Sequence, residues 1–258
     1  MPLIVNADDF GLTPAVSRGI LHAARAGVVS STTVLANLVS DEFLVKLKKS
    51  GLSSGIHLNL TCGKPLLPVQ EVRSLVGVGG EFHPLERLII LTMAGKIRAG
   101  EIRAELSAQV SRLRRFVTLS HFDGHRHFYF LHPDLAGVVI PLMKNLALTR
   151  TRFPLESRLF VPAGLKHALF TIGLSRFSYG LRGLLRRHGM VTPYQFWGQQ
   201  FSGELRLRHL RRILPELKGC AELMTHPGFG DRKRELELKV LLRCRALRKT
   251  RLADFDAI

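Results

Sequence analysis

The sequence predicts an α/β protein: a parallel sheet or barrel with helices packed outside it. Two observations carry this reading. Short β-branched apolar runs alternate with segments of helical periodicity along most of the chain, the pattern of βα units. Four of those runs end in Asp or His, and strand ends are where α/β folds bind ligands. The length agrees, since 258 residues suffice for one large domain with a substantial core.

The elements follow in order. Residues 3–7 read as a strand that ends in Asp8, Asp9, Phe10 and Gly11. A helix is predicted over 14–26, with Thr13 as N-cap and Pro14 at its first position. Val16, Ile20, Ala23 and Ala24 form its apolar face and Gly27 its stop. A strand over 31–36, a helix over 41–50 and a strand over 55–60 come next, the last carrying His57. Residues 62–84 are rich in Gly and Pro and read as a long loop. Ile102, Leu106, Val110 and Leu113 recur at helical steps and predict a helix over 100–116. A strand over 118–122 runs into His121, Asp123, His125 and His127. A helix over 134–146 and a strand over 149–153 follow, and a last strand-like run leads to Thr225 and His226.

Residues 159–188 break the alternation. Leu165, Leu169, Phe177, Leu181 and Leu184 fall near one helical face with arginines elsewhere. That stripe suits a helix packed on the barrel, and it also suits a basic amphipathic helix on a membrane surface. The reading is thus one domain over 1–258 with a basic helical insertion at about 159–190.

Lys and Arg number 38 against 20 Asp and Glu, a net charge of +18. The excess lies late in the chain, from Arg182 onward. Such a field attracts anionic partners. No aromatic RNA-binding pattern, zinc finger or helix-turn-helix signature accompanies it, so no specific nucleic-acid partner is expected. No apolar run is long enough for a membrane span and no signal peptide is seen. Three scattered cysteines, Cys62, Cys220 and Cys244, argue against a disulfide framework or a thiolate metal site. A cytoplasmic location follows as the expectation.

Adjacent carboxylates at Asp8 and Asp9 repel, and burial worsens the repulsion. A bound cation removes the difficulty; a solvated turn with Asp9 as a spare cap is the alternative. Asp and neutral His are good ligands for a catalytic divalent ion. Neighbouring strand residues point opposite ways, so Asp8 and Asp9 share one site only if the strand ends there. His121, Asp123, His125 and His127 share parity and would line one face if their strand continued. His121 reads as a structural hydrogen-bonding residue. His22, His83, His132, His167, His188 and His209 lack such partners and read as surface or structural.

Seven segments then line up: NADDFGL at 6–12, SSTT at 30–33, GIHLNLT at 55–61, HFDGHRH at 121–127, RFPLE at 152–156, TPYQFWG at 192–198 and ELMTHPG at 222–228. In this order they resemble the YdjC-like carbohydrate deacetylases, which include chitooligosaccharide deacetylases and a branch linked to hopanoid biosynthesis. The resemblance implies an irregular (β/α) barrel similar to the polysaccharide deacetylases. It implies one divalent metal ion on Asp9, His57 and His125, Asp8 as general base, His226 as general acid, and Arg152 as the residue that orients the base. Mg²⁺ follows from the family; Zn²⁺ or another transition ion follows from ligand softness. Gly124 and Tyr129 stand where relatives carry Ser and His, and Gln195 also departs, so chitobiose specificity is not carried over. His127, Tyr129 and Trp197 are the expected substrate-side residues; His127 suits a substrate-facing place or one behind a metal ligand, and Trp197 with Phe196 suits a sugar-stacking wall and core packing equally.

The expected function is metal-dependent removal of an N-acetyl group from an amino sugar, oligosaccharide or glycolipid. The alternatives are a deacylase of another lipid-linked precursor and a non-catalytic binder of anionic lipid or nucleic acid. A pure binder has no need of Asp8, Asp9, His57, His125 and His226 together. Partners beyond the substrate are an anionic membrane face, met peripherally, and a second copy of the chain.

Overall fold

The computed structural model describes residues 1–156 and 180–258. Its centre is a sheet in the order β4-β3-β2-β1-β6-β5 with every pairing parallel. The strands are β1 (Leu3–Phe10), β2 (Ser31–Val34), β3 (Ser53–Leu58), β4 (Leu119–Gly124), β5 (Gln195–Trp197) and β6 (Ala221–Thr225). A short β7 (Leu252–Ala253) adds to the start of β1. Parallel strands must be covered on both sides, and β1 is buried along its whole length.

The two ends of this arc approach each other through single bridges. Phe122 of β4 pairs with Thr151, and Arg150 pairs with Val191, just ahead of β5. The predicted strand over 149–153 is reduced to these bridges. Pro154, which has no N–H to give a ladder, follows directly. The result is a curled parallel half-barrel with helices outside it, as the α/β pattern implied.

The helices are α1 (Pro14–Arg25), α2 (Asp41–Ser50), α3 (Leu85–Met93), α4 (Ala99–Arg114) and α5 (Pro133–Asn145), with Leu207–Ile213 and Arg232–Arg243 in the basic C-terminal part. Thr13 caps α1 through Oγ1, which accepts from the Val16 N–H at 3.1 Å. Gly51 ends α2 at φ 67°, the left-handed position that favours glycine. The expected loop over 62–84 holds only short 3₁₀ turns and the bridge between Val76 and Phe82. Composition did not reveal α3, which begins right after Pro84 and buries Leu85 and Leu88 while leaving Ile90 and Met93 exposed. The predicted segment 159–188 lies mostly outside the described residues. Its end, 180–187, is helical, with Leu181 and Leu185 buried and Arg182, Arg186 and Arg187 exposed.

The end of the barrel away from the strand tips is closed by aromatic packing. The His121 ring stacks on Phe255 with centroids 3.5 Å apart, and its Nδ1 meets Ser120 Oγ at 2.9 Å. The same ring lies across Gly55, where a Cβ would come within 2.4 Å of His121 Cε1. Gly55→Ala is therefore expected to cost about 1–3 kcal/mol through overpacking. In a chain of this size that is a melting-temperature drop of roughly 3–10 °C. Thermal denaturation checks it; an unchanged Tm would mean that the ring shifts at no cost.

Candidate active site

Asp8 and Asp9 reach the same cavity, but not because the strand stops. Strand β1 runs on to Phe10. Between the pairs Ala7–Thr32 and Phe10–Val34 its register slips against β2, so three steps along β1 span two along its partner. This is a β-bulge, which re-aims side chains. Asp9 takes the extra turn at φ 70°, a left-handed conformation that Asp tolerates better than most residues. Gly11 follows at φ 98°, where a Cβ would strike Val39 Cβ at 2.5 Å.

Asp8 is clamped from below. Arg152 gives it a two-pronged grip, Nη1 to Oδ2 and Nη2 to Oδ1, both at 2.7 Å. The Asn6 side-chain amide adds a bond to Oδ1 at 2.8 Å. Arg152 is fully buried and holds two more carboxylates: Nη1 lies 3.0 Å from Asp123 Oδ2, and Nε donates to Glu222 Oε1 at 2.7 Å. Burial alone would raise the Asp8 pKa, but the charge and hydrogen bonds of Arg152 outweigh it and hold the carboxylate ionised. Glu222 lacks a full share of that cation. Burial pushes it up to about 7.

His57 and Asp123 face each other across β3 and β4 as register partners. His57 Nδ1 donates to Asp123 Oδ1 at 2.5 Å, which turns Nε2 toward Asp9 Oδ1, 3.4 Å away. Burial would lower the His57 pKa, yet Asp123, by charge and hydrogen bond, and then Asp9 raise it to about 10. A ligand on Nε2 must displace a proton there. His125 points the same way. Its Nδ1 meets Thr61 Oγ1 at 2.7 Å, so Nε2 is the nitrogen left for a ligand. Its ring centroid is 5.6 Å from that of His57, and burial lowers its pKa to about 4 and keeps it neutral.

Asp8, Asp9, His57, His125, His127 and His226 all line one cavity of about 630 Å³. Glu86, Arg126, Gln199, Asp231, Lys233 and Arg234 complete much of its wall. Among the described residues, Asp8, His57 and Asp123 offer three ligand atoms within 4.8 Å of one another, a grouping that can hold a metal ion. Its two carboxylates are already engaged by the Arg152 guanidinium, a resident cation. Asp9, His57 Nε2 and His125 face the cavity instead, and two imidazoles and a carboxylate are a sound donor set for a divalent ion.

The strand parity argument holds only through Asp123. Strand β4 ends at Gly124, and Arg126 and His127 both take left-handed backbone, at φ 53° and 52°. His127 thereby turns inward; its Nε2 donates to Gln199 Oε1 at 2.7 Å, and burial pushes its pKa down to about 3.

Two expected substrate residues sit elsewhere. Tyr129 is fully buried among Phe122, Phe128 and Phe130, with its hydroxyl 3.1 Å from Thr151 Oγ1. Its place in an aromatic run drives it into the core. Trp197 is buried in β5 and does not line the cavity. Gln195 is also remote, accepting from the Lys218 N–H at 2.6 Å.

Glu222, Gln199 and Arg234 were not legible as site residues. Glu222 was detectable in principle as a charge inside an apolar strand. Arg234 was hidden in a basic stretch that reads as solvated surface. It donates from Nη2 to Asp9 Oδ2 at 2.5 Å.

The family model for YdjC-like proteins matches residues 2–253. The chain belongs to the YdjC-like family. A carbohydrate deacetylase from Listeria welshimeri serovar 6b is 41% identical over 244 residues, covering 90% of this chain and 83% of that protein. One from Brevibacillus brevis is 32% identical over 256 residues, covering 93% and 91%. The Homo sapiens carbohydrate deacetylase is 32% identical over 248 residues, covering 89% and 75%. Among solved structures, one from Enterococcus faecalis V583, named for cellobiose-phosphate cleavage, superposes with a TM-score of 0.77. It is 25% identical and covers 99% of this chain and 98% of that one. Four of the YdjC-like motifs, those at 6–12, 55–61, 121–127 and 222–228, thus deliver residues to the cavity wall.

Proposed function

We propose that this YdjC-like protein removes the N-acetyl group from an amino sugar, as a free oligosaccharide or a glycolipid, with a divalent ion on Asp9, His57 and His125. The observation that supports it is a single cavity at the strand ends lined by Asp8, Asp9, His57, His125 and His226. The curated relatives named carbohydrate deacetylases agree with it.

When bound, the ion would acidify a water and polarise the acyl oxygen. The chain's own residues do the rest. Asp8 accepts the proton of the attacking water. Arg152 and Asn6 both donate to Oδ1 of Asp8, and Arg152 takes one position on Oδ2, which leaves Oδ2 as the oxygen that receives the proton. His226 follows the end of β6, the strand beside β1, lines the same cavity and protonates the departing nitrogen. His127, neutral and tied to Gln199, presents an apolar ring edge beside the Phe196 ring, 6.2 Å away.

The test is acetate release from a panel of N-acetylated glycans and glycolipids after chelation and after add-back of Mg²⁺, Zn²⁺ or Co²⁺. Release from at least one substrate, lost on chelation and restored by one ion, is the expected result. Release that survives complete chelation would remove the ion from the reaction. His226→Ala is expected to slow turnover about 10²–10⁴-fold, most for substrates whose amine leaves poorly. Equal losses for good and poor leaving groups would take the proton-donor role away from His226.

A second reading concerns where the substrate is met. Among the described residues no helix is long and apolar enough to cross a membrane. The net charge of +18 and the exposed Arg182, Arg186 and Arg187 favour a peripheral contact with an anionic lipid surface, at about 1 kcal/mol per basic side chain. Co-sedimentation with anionic vesicles should weaken with salt and with Glu at those three positions. Equal recovery in the supernatant with neutral and anionic vesicles at low salt would refute it.

A further inference from the structure

We propose that Arg234 is a built-in counter-cation for Asp9 that caps the affinity of the cavity for a divalent ion. This rests on Asp9 being an ion ligand, as argued above. Arg234 is a positioning residue here: it acts on the ion through the carboxylate it holds.

The local fold fixes Arg234. Asp231 caps the helix Arg232–Arg243, its Oδ1 accepting from the N–H groups of Lys233 and Arg234, each at 3.0 Å. The Arg234 stem lies over Gly228 of the THPG turn, its Cδ only 3.2 Å from where a Cβ would stand. Gly228 in turn lies against Gly19 of α1, where a Cβ would meet Gly228 Cα at 2.5 Å. A Cβ at 228 would push on the arginine stem, which would have to give by a few tenths of an ångström. The guanidinium then reaches into the cavity, with Nη2 on Asp9 Oδ2 at 2.5 Å and Nη1 buried without a hydrogen-bond partner among the described residues.

The consequence is a matter of charge. Asp8 is held by Arg152, and Asp123 by Arg152 and His57. On the cavity wall Glu86 pairs with Arg126, and Asp231 caps its helix. Asp9 is left as the carboxylate that meets the ion, and Arg234 takes one of its two oxygens. A dication on Oδ1 therefore binds close to a fixed positive charge, and that repulsion falls off only with the inverse of distance. The guanidinium also forbids bidentate ligation. Occupancy of the site follows the free ion concentration instead of staying saturated.

The test is direct binding, not turnover. The metal-free protein is titrated with Co²⁺ by visible absorption and with Zn²⁺ by calorimetry, as wild type, Arg234→Gln, Arg234→Met, Arg234→Lys and Asp9→Asn. Met keeps the stem over Gly228 without charge; Lys keeps the charge. Removing the charge is expected to tighten binding by about tenfold, through relief of the charge repulsion, and Lys should stay near wild type. Unchanged or weaker binding in both Gln and Met variants would overturn the proposal. Wild-type affinity in Asp9→Asn would instead overturn Asp9 as ligand, a separate outcome.

Discussion

Asp8→Asn is expected to lose about 10²–10⁴-fold in turnover while the protein still binds its divalent ion. Asn keeps the size of Asp and can still accept one bond from Arg152, so the cavity should hold its shape. What disappears is the negative charge that receives a proton. Arg152 keeps Asp8 ionised through neutral pH by two bonds of 2.7 Å. That grip makes Asp8 a weak base by affinity but a well-aimed one, and aim is what proton transfer at a positioned water requires. The variant also leaves more of the Arg152 charge uncompensated, so its melting temperature should fall. Rates must therefore be compared per folded molecule, with Co²⁺ binding as the control. Turnover near wild type at full folding would move the base elsewhere in the cavity.

Arg152→Met is the change expected to cost most stability. It leaves Asp8, Asp123 and Glu222 buried around an apolar side chain, with His57, among the described residues, as the cation beside Asp123. Removing one partner from a buried ion network typically costs about 3–5 kcal/mol. For a chain of this length that is a drop of roughly 6–20 °C in Tm. The sign of the pH dependence follows. With the guanidinium gone, the folded-state pKa values of these carboxyls rise above their unfolded values. Stability lost at neutral pH is then recovered as pH falls and the groups take up protons. The gap to wild type should narrow toward mildly acidic pH. Thermal melts at the two pH values check this; a Met variant that melts with the wild type would show that water already reaches the carboxylates.

Much of the fold was legible because local chemistry and tertiary structure agree. Thr13-Pro14 starts α1 and Gly51 ends α2 where capping rules place them. The apolar stripe from Ile102 to Leu113 is the buried face of α4. The helix α3 escaped notice because a Pro-rich loop runs straight into it. The site was legible as residue types, through its motifs, but not as geometry. A bulge at Asp8 and Asp9 cannot be seen in a run of strand-like residues. The left-handed pair Arg126 and His127 breaks a parity that holds only while the strand lasts. Tyr129 drew attention as a motif position, yet an aromatic run is resolved by burial. Arg234 shows the opposite failure, since a single charge in a basic tract has no sequence mark of its contact with Asp9.

The buried Arg152 network also sets an order of events during synthesis. Arg152 and Asp8 lie 144 residues apart, and Arg152 and Glu222 another 70. The middle strand of the sheet, β1, is made first, but its neighbour β6 is made near the end. Until then β1 presents an unpaired edge, the kind that invites pairing with other chains. Its two carboxylates meet their guanidinium partners only when remote segments arrive. Such distant contacts repay loop closure late, which slows folding. The carboxylates at the β1 tip thus gain their buried counter-cation only through contacts that span more than half of the chain.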